Sequence, residues 1–326
     1  MCSGLRAYEM IEFSVDEDAA GMRLDKYLRR KLNQVPTSHL FKMIRTKRVR
    51  VNGKRAQPDQ LLALGDLLAI RGNAEDLLAP GARFPALAVG DPSKLEILYE
   101  DDWMMAVNKP AGMAVHAGSG ITGATLVDHV RAYLGPKATR NDFTASPAHR
   151  LDRDTSGVIL VAKRRPAMVH FTDVFTHGRA KKRYVALVRG SMPRLRGVID
   201  LPLSEHQQTA RSKEQRGINM QQAVTRYRVT RQAGEVALVE ASIETGRTHQ
   251  IRRHLAAIGH PVVGDRRYGD FAFNRQASSR WGLKRLFLHA ETIEVPHPAD
   301  GRKMRFCAHL PVELRQVIER AAPGAP

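Results

Sequence analysis

His149-Arg150-Leu151-Asp152-Arg153-Asp154-Thr155-Ser156-Gly157 runs directly into Val158-Ile159-Leu160-Val161-Ala162. The five apolar residues read as a buried strand. The polar residues and glycine ahead of it place side chains at the mouth of a cleft. Asp152 stands between two arginines, and a neighbouring opposite charge favours the ionised form of a partly desolvated carboxylate. Such a carboxylate serves as a nucleophile or a base. The same residues would also suit a structural Asp–Arg network that fixes a loop.

Working outward, similar short β-rich runs appear at Leu95–Tyr99, Met104–Asn108, Tyr184–Val188, Val224–Val229 and Val236–Ile243. Helical spacing is read over 124–134, 166–176, 248–258 and 311–321. Strands outnumber helices and do not alternate strictly with them. The expectation is an α+β domain over 95–322 with a mixed, largely antiparallel sheet, rather than a doubly wound one. Ahead of it, 73–94 collects Gly72-Asn73, Pro80-Gly81, Pro85, Gly90 and Asp91-Pro92, which is turn chemistry without periodicity and reads as a linker.

Residues 11–72 form a separate small αβ unit in this reading. Leu24, Tyr27, Leu28 and Leu32 recur at helical spacing. Thr37 or Ser38 is expected to cap a second helix whose apolar face is Leu40, Phe41 and Ile44. Val49-Arg50-Val51 alternates as a strand, Asn52-Gly53 is a hairpin turn, and Leu67–Arg71 is a closing strand.

The chain has 326 residues, with 52 Lys plus Arg against 33 Asp plus Glu, a net charge of +19. At roughly 100–200 residues per domain, that length suits two domains, or one domain with an appendage. A hydrophobic content of 43% supports a large core and argues against a charged disordered chain. The cations are not spread evenly: between Arg23 and Arg55 there are twelve cations and one acid, a net +11. Clustered Lys and Arg release counterions from phosphates, so a polyanionic partner is expected there. Arg23, Lys26, Arg29, Lys42, Arg45, Lys47, Arg48, Arg50 and Lys54 are the candidate contacts to that polyanion.

The two cysteines, Cys2 and Cys307, provide no disulfide framework and no Cys-rich zinc site. Residues 1–20 show no apolar signal segment, and no run of 18 apolar residues could span a membrane. A cytoplasmic protein without membrane contact is expected. The histidines lack an H-E-x-x-H arrangement, and no Walker or dinucleotide fingerprint occurs, so no metal or other cofactor is expected.

Three further segments are dense in polar groups. Thr245-Gly246-Arg247-Thr248-His249-Gln250-Ile251-Arg252 offers two threonines as helix caps and places Arg247 where it could reach a carboxylate on a neighbouring strand end. Lys181-Lys182-Arg183-Tyr184 sets a tyrosine at the start of a buried strand, either to stack on a base or to fill the core. Asn108-Lys109-Pro110-Ala111-Gly112 is a turn after a strand.

At these residues the sequence resembles the pseudouridine synthase family that includes the ribosomal large-subunit enzymes. His149–Gly157 looks like its central motif and Asn108–Gly112 like its first. Lys182-Arg183-Tyr184, Thr245–Arg252 and Arg285-Leu286-Phe287-Leu288-His289-Ala290 resemble the later ones, in order. The 23–71 stretch resembles the S4 RNA-binding module. Ala114–Gly120, Asp265–Asp270 and Leu283–Ala290 favour one branch of the large-subunit enzymes, while 204–222 carries no family motif, and Gln221 stands where members often have Lys.

The resemblance implies an isomerase that turns specific uridines of 23S ribosomal RNA into pseudouridine without a cofactor. It implies a monomer, acting on large-subunit RNA either naked or in an assembling 50S particle. Asp152 would be the catalytic aspartate, Arg247 its ion-pair partner, and Tyr184 the ring that packs on the uracil and assists removal of the C5 proton. Arg150 would fill the gap left by the flipped uridine, and Leu288 would line the base pocket. Flipping is required because the reacting atoms are inaccessible in a stacked helix. Two other readings remain at this stage. One is a non-catalytic RNA-binding assembly factor. The other is a hydrolase using Asp154 as second carboxylate, whose side chain would share a face with Asp152 if a strand began at 152.

Overall fold

The computed structural model describes residues 9–16, 19–32, 35–72, 90–118, 121, 123–140, 143–204 and 220–323. The chain divides into two compact units, the first taking residues 1–88 and 118–122, the second residues 89–117 and 123–326.

The first unit carries β1 (Glu9–Ser14), α1 (Leu24–Lys31), α2 (Thr37–Arg45), β2 (Val49–Val51), β3 (Lys54–Arg55) and β4 (Leu67–Gly72). The strands form one antiparallel sheet in the order β1-β4-β2-β3. Asn52 and Gly53 both take positive φ (50° and 72°), the backbone that a two-residue hairpin requires. Leu24, Tyr27, Leu28, Leu40, Ile44, Val49 and Leu68 make the core.

Two local expectations fail here. Phe41 is exposed rather than part of the core face, and the Arg29 guanidinium lies 6.0 Å from its ring centre. Neither Thr37 nor Ser38 caps α2. Pro36 occupies the capping position without a side-chain bond, so its fixed φ (−55°) sets the start of the helix instead.

The second unit is built on a ten-stranded sheet. Its strands are β5 (Glu96–Glu100), β6 (Met104–Lys109), β7 (Ser146–Pro147), β8 (Ser156–Ala162), β9 (Lys181–Arg189), β10 (Arg196–Asp200), β11 (Val224–Ala233), β12 (Val236–Ile243), β13 (Leu288–Pro296) and β14 (Lys303–Cys307). The order is β10-β11-β12-β9-β13-β8-β6-β5, with β7 beside β8 and β14 beside β13. Only β8 and β13 pair in parallel. The α+β architecture expected from the strand-rich texture is therefore present.

Helices cover both faces: α3 (Leu126–Leu134), α4 (Arg165–Thr176), α5 (Gln250–Ala257), α6 (Phe271–Trp281) and α7 (Val312–Ala321). Every residue of β8 is buried. Ile159 and Val161 join the cluster that includes α3 and α5, while Val158, Leu160 and Ala162 join the one that includes Phe171 and Val174 of α4. The period-2 alternation sends residues to two covered faces, so the strand reads as an unbroken apolar run. In β9, Tyr184, Ala186 and Val188 face the α5 side, while Val185 and Leu187 face Phe273, Trp281 and Leu314.

Thr125 caps α3 through a reciprocal pair with Asp128, so this helix begins at Leu126 rather than at 124. Of the linker read over 73–94, residues 73–89 lie outside the described residues, and Pro92–Lys94 form one 3-10 turn. Of the motif-free stretch at 204–222, residues 205–219 likewise lie outside them.

Candidate active site

The loop carrying Asp152 is fixed from both sides. Gly157 has φ of +118°, and a Cβ built there would lie 2.1 Å from the Ala290 carbonyl oxygen. Only glycine lets β8 approach β13 this closely, which explains why the polar segment ends in that residue. Lys109, fully buried at the end of β6, donates from Nζ to the carbonyl oxygens of Pro110 (2.9 Å), Met113 (2.9 Å) and Arg153 (3.0 Å). Burial pulls its ammonium down to about 7. The Gly112 N–H adds a bond to Arg153 O at 2.9 Å. Upstream, His149 Nε2 accepts the Leu160 N–H at 3.1 Å, and its ring packs 5.0 Å from Phe175. Burial, followed by the charge of Lys182, pushes His149 down to about 3, so it stays a neutral acceptor.

With its flanks pinned, the loop turns at 152–155 through Thr155 N–H to Asp152 O (3.2 Å). Asp152 therefore lies ahead of the strand, which starts only at Ser156. Asp152 and Asp154 do not share a strand face as the hydrolase reading required, and Asp154 instead accepts from Arg153 Nε at 3.3 Å.

The partner of Asp152 comes from α5. Arg252 Nη1 donates to Asp152 Oδ2 at 3.1 Å. The other edge of the guanidinium grips Asp265, with Nε to Oδ2 at 2.7 Å and Nη2 to Oδ1 at 2.9 Å. Asp265 is buried and also accepts the N–H groups of Arg267 (2.8 Å) and Tyr268 (3.0 Å). Burial, the largest single influence, works against its charge, but the Arg252 guanidinium and the Tyr268 and Arg267 N–H groups together outweigh it and hold the carboxyl below its ordinary value. The guanidinium lies 5.2 Å from the centre of the Tyr268 ring, whose hydroxyl is 3.0 Å from His249 Nδ1. His249 Nε2 is 3.8 Å from Asp152 Oδ1, and burial lowers the imidazole's pKa.

The sequence reading assigned the Asp152 ion pair to Arg247, and the structure corrects it. Arg247 sits in the exposed turn before α5, with Nε 3.4 Å from the Gln222 carbonyl oxygen. Arg252, in the first turn of the helix, is the residue turned inward. The capping expectation also changes: the residue before α5 is His249, in a left-handed conformation (φ 55°) with no side-chain cap. Thr245 instead donates to Gln250 Oε1 (2.7 Å), which also takes the Arg247 N–H (3.1 Å). Gln250 thus ties the turn together and anchors it to β11 through Val224 O at 2.9 Å.

Around Asp152 lies a cavity of about 280 Å³, close to the lower size limit of small-molecule sites. Tyr184, Leu288, Ile243 and Phe175 supply apolar walls, while Arg150, Arg247 and Lys182 bring positive charge. Burial and the charge of Asp152 both push the Tyr184 phenol up, so it is neutral at any working pH. Burial lowers Lys182 to about 8. Arg150 is exposed, and among the described residues no carboxylate pairs with it. All five residues predicted for the site, Asp152, Tyr184, Arg247, Arg150 and Leu288, therefore border one cavity. Sequence reasoning missed Arg252 and Asp265 as a charged pair. Both stood in segments already singled out, but their pairing spans thirteen residues and no local pattern announces it.

In the first unit, eight of the nine candidate RNA contacts are exposed, and Arg48 is half-buried. Arg23 and Arg29 are partly neutralised, since Asp25 lies 3.1 Å and 3.9 Å from them.

Comparison with known proteins gives a consistent result. Residues 103–257 match the family described as RNA pseudouridylate synthase, and residues 22–68 match the S4 domain. A curated relative in Vibrio cholerae serotype O1, ribosomal large subunit pseudouridine synthase C, is 37% identical over 94% of this chain and 95% of its own. The protein of the same name in Escherichia coli K12 is also 37% identical, over 94% of this chain and 95% of its own. Among solved structures, human RNA pseudouridylate synthase domain containing 4 superposes with a TM-score of 0.56 at 26% identity, covering 69% of this chain and 92% of that one. Human RNA pseudouridylate synthase domain containing 1 gives 0.54 at 27% identity, covering 68% and 86%.

Proposed function

The chain belongs to the RNA pseudouridylate synthase family, and from that premise we propose that it converts specific uridines of large-subunit (23S) ribosomal RNA to pseudouridine, with Asp152 as the catalytic residue. The observation that carries this reading is the Asp152 carboxylate, held by Arg252 at the edge of a cavity walled by Tyr184 and Leu288.

The reaction is an isomerisation. The bond from N1 of uracil to the sugar breaks, the base turns within the site and C5 bonds to the same sugar carbon; the C5 proton passes to solvent and N1 takes up a proton, so the composition is unchanged. Asp152 acts at the sugar. Tyr184 packs on the base as a neutral phenol whose hydroxyl relays the C5 proton to water, giving up its own proton as it accepts the other. Leu288 closes the pocket from the other side. Arg252 holds Asp152 in place, while Arg247 and Arg150 face the RNA, with Arg150 filling the gap left by the flipped nucleotide. Extrusion of that nucleotide costs a few kcal/mol of stacking, which binding elsewhere on the protein must offset. The cations of the first unit supply that binding without reading sequence.

The reaction takes place on RNA that is still accessible, naked or in an assembling 50S particle, with the protein acting as a cytoplasmic monomer. Among the described residues no helix is long and apolar enough to cross a membrane. The test is tritium release from C5-labelled uridine in unmodified 23S rRNA. The folded wild-type protein should release tritium, and Asp152→Asn should abolish release with RNA affinity nearly unchanged. No release by the wild type, or near-normal release by the variant, would overturn the proposal.

A further inference from the structure

A second cavity, about 460 Å³, opens on the far side of Asp152 and shares Asp152, His249 and Arg252 with the first. Its wall is built by two segments forced together. Gly264 has φ of +80°, and a Cβ there would lie 2.1 Å from the Arg285 carbonyl oxygen. The turn after Gly264 therefore lies directly against Lys284–Leu286. Asp265 Oδ1, accepting the N–H groups of Arg267 and Tyr268, fixes that turn so that Arg266 and Arg267 remain exposed on it. Lys284 is exposed on the opposing segment, and all three border the cavity.

The charges in this cleft do not balance. Each of its carboxylates already has a cation: Asp152 and Asp265 share Arg252, and Asp154 has Arg153. Among the described residues Arg266 reaches only the Lys284 carbonyl oxygen, at 3.5 Å. Arg267 lies 5.5 Å from the centre of the Tyr268 ring. Among the described residues neither arginine nor Lys284 has a carboxylate partner. Gathering three unpaired cations in one concave site leaves a positive field, which favours an anion with several charges in a row.

Covalent geometry says where that anion comes from. If the reacting sugar sits at Asp152, its 3′ and 5′ oxygens carry phosphates that must leave the catalytic cavity across its rim, and one part of the rim opens into this cleft. We propose that the cleft lined by Arg266, Arg267 and Lys284 binds the phosphodiester backbone of the RNA strand immediately flanking the target uridine. The proposal rests on the enzymatic reading above and extends it to the path of the substrate strand.

The test uses the full chain and an RNA fragment carrying a uridine that the wild type converts. Each phosphate contact on a single strand contributes a slope of about −0.7 to log K against log salt. Arg266→Ala, Arg267→Ala and Lys284→Ala combined should flatten that slope by about 2 and weaken binding at moderate salt. The charge-keeping set Arg266→Lys, Arg267→Lys and Lys284→Arg should retain the slope, which separates charge loss from a folding defect. Neutral methylphosphonate linkages on either side of the target uridine should flatten the wild-type slope and abolish its difference from the alanine variant. An unchanged slope in the alanine variant, with the fragment still converted by the wild type, overturns the cleft while the enzymatic reading stands. A difference that survives the neutral linkages also overturns it, by placing the contacts elsewhere on the RNA. A folded wild type that converts no uridine overturns the enzymatic reading and this proposal together.

Discussion

Replacing Arg252 with Met removes the cation that bridges Asp152 and Asp265 while keeping a long apolar side chain. The two carboxylates then fare differently. Asp152 borders open cavities, so water can replace the lost bond. The Asp265 side chain has 0% exposure and keeps only the N–H groups of Arg267 and Tyr268. Breaking a buried ion pair from one side costs about 3–5 kcal/mol. At about 2–4 °C per kcal/mol in a unit of this size, the melting temperature should fall by about 6–20 °C.

The pH dependence gives this prediction its sign. In the wild type the folded-state pKa of Asp265 is depressed, so its stabilisation is present above the unfolded value near ~3.9 and is lost as pH falls through the folded value. In the variant, burial remains with only the two N–H bonds to offset it, so the folded pKa rises. The charge then costs stability at high pH, and the cost disappears as the group takes up a proton. The gap in melting temperature between wild type and Arg252→Met should therefore narrow from pH 8 to pH 5. Tritium release under single-turnover conditions should also slow by about 10–150-fold, the equivalent of losing one charged hydrogen bond worth about 1.5–3 kcal/mol. Thermal melts followed by circular dichroism at both pH values, together with the single-turnover assay, check this. A variant that melts with the wild type, or a gap of equal size at both pH values, would refute the bridging role.

Gly157→Ala should destabilise the second unit by several kcal/mol, because the added Cβ meets the Ala290 carbonyl oxygen at 2.1 Å and the backbone sits at φ +118°; a thermal melt reads this, and near-normal stability would sink the steric argument. Tyr184→Phe keeps the ring and removes the hydroxyl, so tritium release should fall. Because burial and Asp152 hold the wild-type phenol neutral, the pH–rate profiles of the two proteins should have the same shape between pH 6 and 9; an alkaline limb present only in the wild type would contradict this. Converting the exposed Lys26, Lys42, Arg45, Lys47 and Lys54 to Ala should flatten the slope of log K against log salt by about 3.5 if each contacts one phosphate on a single strand. An unchanged slope would move the binding energy to the second unit.

What could be read from the sequence was whatever local periodicity and turn chemistry determine. β8 was legible because both of its faces are covered, leaving no polar residue to interrupt it. The β2–β3 hairpin was legible because Asn-Gly is chemically suited to its turn. α6 escaped because its buried residues are only Phe273, Ala277 and Trp281, one every four positions, amid Asn, Arg, Gln and Ser. β14 and β1 alternate exposed and covered residues but are only five and six residues long, too short for the alternation to stand out from the surrounding sequence. At the site, the residue types and their segments were legible, but the ion pair was not. Arg247 and Arg252 flank the same turn, and which one meets Asp152 is decided by where α5 starts and by Asp265, a residue more than a hundred positions from the loop it helps to hold.

The net charge of +19 and the single carboxylate at the centre of the site answer different physical demands. Attraction to a phosphate backbone depends on how many cations are available and little on where each one stands, so exposed side chains spread over a surface can supply it. Bond cleavage at a sugar depends on one group held to within a fraction of an ångström. That precision comes from buried residues: Lys109 under the loop, Gly157 at the β8–β13 approach, and Asp265 behind Arg252. Substitutions should therefore separate into two kinds. Loss of exposed cations should change the salt dependence of binding and leave the melting temperature nearly unchanged. Loss of a buried support should lower the melting temperature and the single-turnover rate together, with the salt slope intact. A buried support whose removal changed only the salt slope would show that binding and chemistry are not divided in this way.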